Sequence, residues 1–252
     1  MISFLRLMGF VCCGVVAAIE PAAAAGCNFE PQGDGRVGVI IDNRSFRLED
    51  GREVRLAGLA PVPAGTSALA ALIAGRDVKL HGQDDGPDRW GRQPAFAFVD
   101  GFDRSVQGLL LAQGQALASG EVADKGCAAE LAAAEAAARQ AKLGTWAGSD
   151  AIKNAERPGD ILARVGQFTV VEGKVLSVRQ AGATYYANFG RRWTQDFAVT
   201  ISRRMMASLE AAGISPKSLE NRRIRVRGFI EQRGGPRIEL LRVGQIEAIG
   251  EH

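Results

Sequence analysis

The stretch Glu53-Val54-Arg55-Leu56-Ala57-Gly58-Leu59-Ala60-Pro61-Val62-Pro63 decides how this chain is read. It opens as an alternating strand and closes in a proline-rich turn. Val54 and Leu56 point to one face, Arg55 and Ala57 to the other, because side chains alternate along a strand. An apolar pair is thereby set against a core and an arginine outside it. A guanidinium projecting just ahead of a sharp turn suits a phosphate, whose oxygens match its planar fork. Metal-assisted phosphodiester chemistry would want a carboxylate in that turn, which offers Ala60 and Pro63 instead.

The flanking sequence alternates in the same way. Residues 36–42 and 45–48 read as strands, with Asp50-Gly51 as a hairpin turn before the third strand, 53–59. Residues 66–74 are rich in Ala and Leu and stop at Gly75, a helix terminator. Strands follow at 77–81 and 94–99, separated by a polar loop, 82–92, that carries Asp84, Asp85 and Asp88. Helices are expected over 105–112 and 127–141, the second ending at Gly144-Thr145-Trp146. Five strands with a helix between the third and fourth is the order of an OB barrel, here with two further helices.

Composition and charge bound the rest. The chain has 252 residues, 46% apolar and 23% charged, as expected of a globular protein with one or two domains. Arg6, the apolar run 7–19 and Ala22 to Ala25 read as a signal peptide (1–25), which predicts a periplasmic or secreted protein. No other apolar run approaches the ~20 residues of a membrane span. Cys12 and Cys13 leave with the signal, and Cys27 and Cys127 are expected to form a disulfide in an oxidising compartment. The rival reading is an acylated Cys27, since Ala24-Ala25-Gly26-Cys27 faintly resembles a lipobox. Against it, Ala24 stands where Leu is usual, Glu20 interrupts the apolar run, and Cys127 would be left as a free thiol. His81 and His252 are the only histidines, which argues against a Ser-His-Asp or histidine-metal centre. Residues 26–159 carry a net charge of −3 and residues 160–252 a net +6, so a polyanion would be met chiefly by the second half.

Residues 148–160 are polar, include Arg157-Pro158-Gly159-Asp160, and read as a linker between a domain at 26–147 and another at 161–252. Strands are expected at 166–179 (one strand, or one bent at Gly173), 184–189, 197–202, 223–231 and 237–241. A helix at 205–212 falls between the third and fourth, and 245–249 extends the sheet. The expected fold is mainly β with α (α+β), two small OB-like barrels in series. Tyr185, Tyr186, Phe189 and Phe197 interleave with Arg191, Arg192 and Trp193, a pattern that suits single-stranded nucleic acid if it is not simply core. Arg223, Arg225 and Arg227 repeat with period two, forming a cationic ladder on one face of a strand. That ladder is either a polyanion contact or a charged guard against aggregation.

The first domain resembles the staphylococcal nuclease (thermonuclease-like) family. The matching pieces include Val54-Arg55-Leu56-Ala57-Gly58-Leu59, Asp88-Arg89-Trp90-Gly91-Arg92, Val99-Asp100-Gly101 and Ala134-Glu135-Ala136 with Gly144-Thr145-Trp146, in the family's order over about residues 35–147. The second half resembles a C-terminal extension of exported bacterial members. The resemblance implies an OB fold, phosphodiester hydrolysis and one Ca²⁺ held chiefly by two Asp, with a Glu that helps activate water and two phosphate-binding Arg. Carried over by position, the two arginines are Arg55 and Arg92. The acids are replaced: Arg44 in the turn Asp42-Asn43-Arg44-Ser45, then Ala60 and Pro63. Ca²⁺ needs six to eight oxygens with carboxylate charge. Without the metal, water keeps its bulk pKa of about 15.7. The expectation is therefore a degenerate nuclease homologue with no metal or other cofactor, binding nucleic acid or another polyanion. Two alternatives stand beside it. One is an active phosphodiesterase using Asp42, Asp84, Asp85 or Asp88. The other is a periplasmic protein-protein module in which the barrel faces bind a polypeptide and the arginines are incidental. Taken singly, Arg55 has the plainer reading of pairing with nearby acids, Arg92 of holding its loop through backbone carbonyls, and Trp90 of packing in core or loop rather than stacking on a base.

Overall fold

A computed structural model describes residues 26–27, 29–61, 66–82 and 86–250. The signal segment 1–25, Pro63, Asp84, Asp85 and His252 lie outside the described residues. The described chain holds more strand than helix. No described helix is long and apolar enough to cross a membrane.

The first half is built on β1 (Glu30–Asp42), β2 (Ser45–Leu48), β3 (Glu53–Leu56), α1 (Ser67–Ile73), β4 (Asp77–Gly82), β5 (Gln93–Phe98), α2 (Val106–Ala112) and α3 (Lys125–Gln140). The five strands close into a ring in the order β1-β2-β3-β5-β4. β1 closes it by pairing twice, its first part with β4 and its second with β2. Gly33, at φ +100°, sits where the register with β4 shifts, a backbone conformation that glycine adopts without a Cβ clash. β3 and β5 run parallel, Val54 beside Gln93 and Leu56 beside Ala95. Val54 and Leu56 are buried and Arg55 between them turns outward, as the alternation requires.

The second half repeats this pairing scheme. Its strands are β7 (Phe168–Lys174), β8 (Ser177–Ala181), β9 (Thr184–Asn188), β10 (Ala198–Ser202), β11 (Arg223–Arg233), β12 (Gly235–Leu240) and β13 (Ile246–Ile249), with β6 (Ile152–Asn154) preceding them. The helices are α4 (Pro158–Leu162), α5 (Arg203–Ala211) and α6 (Pro216–Leu219). Their sheet has the order β6-β7-β11-β12-β10-β9-β8, with β13 also on β11. β7 and β8 are one long strand interrupted at Val175 and Leu176. Val175 donates its N–H to Arg222 on one side, and Leu176 donates to Asn188 on the other. That interrupted strand pairs β11 with one part and β9 with the other, as β1 pairs β4 and β2. β10 and β12 are parallel, as β3 and β5 are. The break falls two residues after Gly173, where one continuous or bent strand was expected.

Residues 148–160, a linker by composition, are ordered and packed against the second half. β6 pairs in parallel with β7, α4 follows at once, and Ala155 and Ile161 are buried in the core of the second half. Asp150 ties this segment down by pairing with Lys153 and Arg164. A polar composition conceals this, because the buried anchors are few and widely spaced.

The two halves are welded by charge as well as by apolar contact. Glu135 on α3 is 1% exposed and pairs with Arg227 on β11, Nη2 to Oε2 at 2.8 Å. Both groups also bond the Ala118 backbone: its N–H donates to Glu135 and its carbonyl accepts from Arg227. Around them Ala60, Leu117, Ala138 and Trp146 of the first half pack against Phe168 and Val170 of the second. Backbone meets backbone at Gly120, where an added Cβ would lie 2.5 Å from the Gly244 carbonyl oxygen.

Cys27 and Cys127 form the expected disulfide, Cα to Cα 4.4 Å, closing a separation of 100 residues. It fastens the chain ahead of β1 to the first turn of α3. On the chain-entropy model a loop of that length contributes at most about 4.7 kcal/mol. Reduction, or Cys127→Ser, should lower unfolding free energy by about 2–4 kcal/mol in urea titrations. Arg227→Ala should cost about 3–5 kcal/mol, because it leaves Glu135 charged and buried. The double change Arg227→Met with Glu135→Leu should recover most of that loss in the same assay.

Candidate functional site

The segment after β3 holds the site in place. Leu59 bridges Ala118, Ala60 donates its N–H to Leu117, and Gly58 accepts from Ser119. Gly58, at φ +78°, passes close beneath α3, where an added Cβ would stand 2.9 Å from Leu131. Opposite this edge a cavity of about 450 Å³ opens, lined by Arg44, Arg55, Phe96, Glu121 and, from the second half, Arg242.

Three guanidiniums thus converge. Arg44 follows a tight turn in which Asp42 Oδ1 accepts its backbone N–H at 2.8 Å, and its Nη1 donates to the Leu59 carbonyl at 3.1 Å. Arg55 projects from β3 and, among the described residues, has no side-chain hydrogen bond or salt bridge. Burial lowers its pKa, and the charge of nearby Arg92 lowers it further, while Asp42, Asp88 and Glu121 oppose the shift. Burial and a like-charged neighbour both disfavour the cation, so an anion entering here would relieve them. Arg242 lies just beyond β12. Its N–H donates to Gln245 Oε1, and Gln245 Nε2 donates to the Arg227 carbonyl. The weld between the halves therefore sets where this third guanidinium stands.

Arg92 is near Arg55 but spoken for. Asp88 takes its Nε and Nη2 at 2.9 and 2.8 Å, and also accepts the backbone N–H groups of Trp90 and Arg92. Burial would raise the Asp88 pKa, but these hydrogen bonds and the Arg92 charge hold it below the ordinary carboxylate value. Asp88 therefore stays ionised at neutral pH and Arg92 stays clamped. Trp90 is not packed away. It is 63% exposed, with the guanidiniums of Arg89 and Arg92 at 3.9 and 4.7 Å from its ring centre.

The period-two ladder on β11 has a different fate. Arg223 is exposed, but Arg225 is 7% exposed and clasped by Glu172 at 2.6 Å and Glu247 at 2.7 Å. Burial alone would lower its pKa, yet the two carboxylates raise it. With Arg227 held by Glu135, neither is free for a polyanion. The neighbouring strands β7 and β13 set Glu172 and Glu247 directly beside Arg225, and Glu135 of the first half meets Arg227, so this face of β11 is not a water-facing one. Arg191 and Arg192 lie on an exposed turn, where Asp196 accepts the Arg192 N–H at 2.7 Å. Phe189 and Phe197 are core, and Tyr185 packs against it. Arg242, the residue that completes the pocket, carries no signal in the sequence, because its approach depends on how the halves dock.

Ca²⁺, which the resemblance implies, does not fit these residues. Position 44 brings a cation, and Asp42 Oδ1 is engaged by a backbone N–H. Ala60 is 1% exposed within the apolar junction rather than on the cavity wall. Among the described residues no three of His, Cys, Asp and Glu gather closely enough to hold a metal. Ala60→Asp should accordingly destabilise the protein by about 3 kcal/mol or more, not build a metal site. The buried carboxyl would have a raised folded-state pKa. The penalty should thus be smallest below the unfolded value of about 3.9 and grow as pH rises, which urea midpoints at pH 4 and pH 8 would show.

No protein-family model and no curated protein matches the chain.

Proposed function

We infer that this is an exported protein that binds phosphate-bearing polyanions, single-stranded nucleic acid foremost, without a metal and without hydrolysing them. In this reading both halves are OB-type barrels and the first descends from a thermonuclease-like enzyme. The observation that carries it is the convergence of Arg44, Arg55 and Arg242 on one cavity, with Arg55 free of any carboxylate partner among the described residues. Phosphate oxygens would take the place of the missing counter-ions. Arg44, already on the Leu59 carbonyl, supplies a tethered positive charge where the resemblance would place the metal. Glu121 is the acid among the named lining residues, and its charge keeps the cavity from being uniformly attractive to anions. The disulfide and the leading segment 1–25 support export.

The same reading favours binding over hydrolysis, because Asp42 and Asp88 are both engaged in holding turns and Arg44 stands where the resemblance would place a metal ligand.

Binding of a single-stranded oligonucleotide, followed by anisotropy, should be unaffected by EDTA or Ca²⁺ and should fall steeply with salt. Three phosphate contacts imply a slope of about −2 in log K against log salt, and Arg55→Ala or Arg242→Ala should each reduce it by about 0.7. Cleavage that requires Ca²⁺ would overturn the reading in favour of an active nuclease. Absence of binding at low salt would leave a protein partner.

A further inference from the structure

A second cavity, of about 430 Å³, opens on the second half, formed on β8, β9, β10 and β12. Cross-strand register places Arg179, Tyr186 and Thr200 side by side on its floor. Trp193 stands over it from the turn between β9 and β10 and is 77% exposed. What marks this ring is not its exposure but its place at the mouth of a cavity whose floor carries a second aromatic, Tyr186.

The turn that carries it is firmly built. Asp196, largely buried, accepts the Arg192 N–H and pairs with its guanidinium at 3.6 Å. An added Cβ at Gly190 would collide with the Asp196 carboxylate, and one at Gly235 would lie 2.5 Å from the Asp196 carbonyl oxygen. The Trp193 turn is thus pressed onto the hairpin between β11 and β12 at contacts that only glycine permits. The backbone that carries Trp193 is thereby fixed, while its ring faces water.

The charges around the rim are uneven. Arg237 is neutralised by Glu231 at 3.0 Å. Arg179 and Arg233 have no salt bridge among the described residues. A cavity with two aromatic walls and two unpaired guanidiniums is complementary to a flat ring that carries a negative charge. Its volume lies in the range that encloses a small molecule and is too small for a folded element of a partner.

We propose that this cavity is a nucleotide-binding site in which Trp193 and Tyr186 receive a base and Arg179 and Arg233 receive its phosphate. It is separate from the first-half cavity and shares none of its residues. The same chemistry is offered by a free nucleoside 5′-monophosphate and by one nucleotide within a single strand.

The tryptophans provide the readout. Trp146 is buried, so in a Trp90→Phe protein the exposed emitter is Trp193. AMP added to that protein should quench its emission saturably. Tyr186→Ala and Arg179→Ala should each weaken the apparent affinity about tenfold, the scale of one stacked base or one charge-assisted contact. Ribose 5-phosphate, which lacks the base, should not quench. A short oligodeoxyadenylate that binds at least tenfold more tightly than AMP assigns the site to strands, and equal affinities assign it to free nucleotide. Arg55→Ala should leave AMP quenching unchanged, so this site can stand if the first fails and fail if the first stands. Thermal melting of each variant confirms folding. Quenching equal for AMP and ribose 5-phosphate, quenching unmoved by Tyr186→Ala, or no quenching at low salt would overturn the proposal.

Discussion

The buried pair of Glu135 and Arg227 is the constraint on which the rest of the molecule turns. Two charges removed from water are tolerated only when their remaining hydrogen-bonding capacity is met nearby. Here the Ala118 backbone meets it for both groups. Ala118 is laced to Leu59, and Gln245 is hung on the Arg227 carbonyl. One ion pair therefore fixes the edge of the first cavity and, through Gln245, the arginine that the second half contributes to it. Arg139 lies beside the pair. Burial lowers its pKa, as does Arg225, against the pull of Glu135 and Glu247. Arg139, Arg225 and Arg227 are matched by Glu135, Glu172 and Glu247 in and around the junction, so the charges crowded there are balanced locally.

That balance changes the meaning of the charge distribution. The excess of +6 in residues 160–252 is not a uniform basic surface. Arg225, Arg227 and Arg237 spend their charge on carboxylates. Among the described arginines without a salt bridge, Arg55 and Arg242 line one cavity and Arg179 and Arg233 another on a different part of the fold, while others, Arg223 among them, stand on the open surface.

Much of the architecture could be read in the residues. The alternation at Val54 to Leu56 orients a strand unambiguously, and two cysteines beyond the leading apolar segment have one simple pairing. Two features escaped for a physical reason. A period-two arginine ladder looks the same whether its outer face meets water or another domain, so Arg225 and Arg227 could not be told from surface residues. Likewise the buried Ala155 and Ile161 are too sparse to lift residues 148–160 out of a linker composition. The surroundings of Arg55 and Trp90 come from β2, β5 and the loop before β5, which their sequence neighbours do not display. Arg242 depends on long-range docking alone and has no local pattern to betray it.

Ala60 has a consequence for how the two halves hold together. A carboxylate at that position and a docked second half exclude one another, because the same small volume holds either a solvated acid or the apolar contact with Phe168 and Val170. Position 60 therefore answers to packing across the junction and not to the cavity beside it. One methyl group acts there as the gasket of the whole molecule.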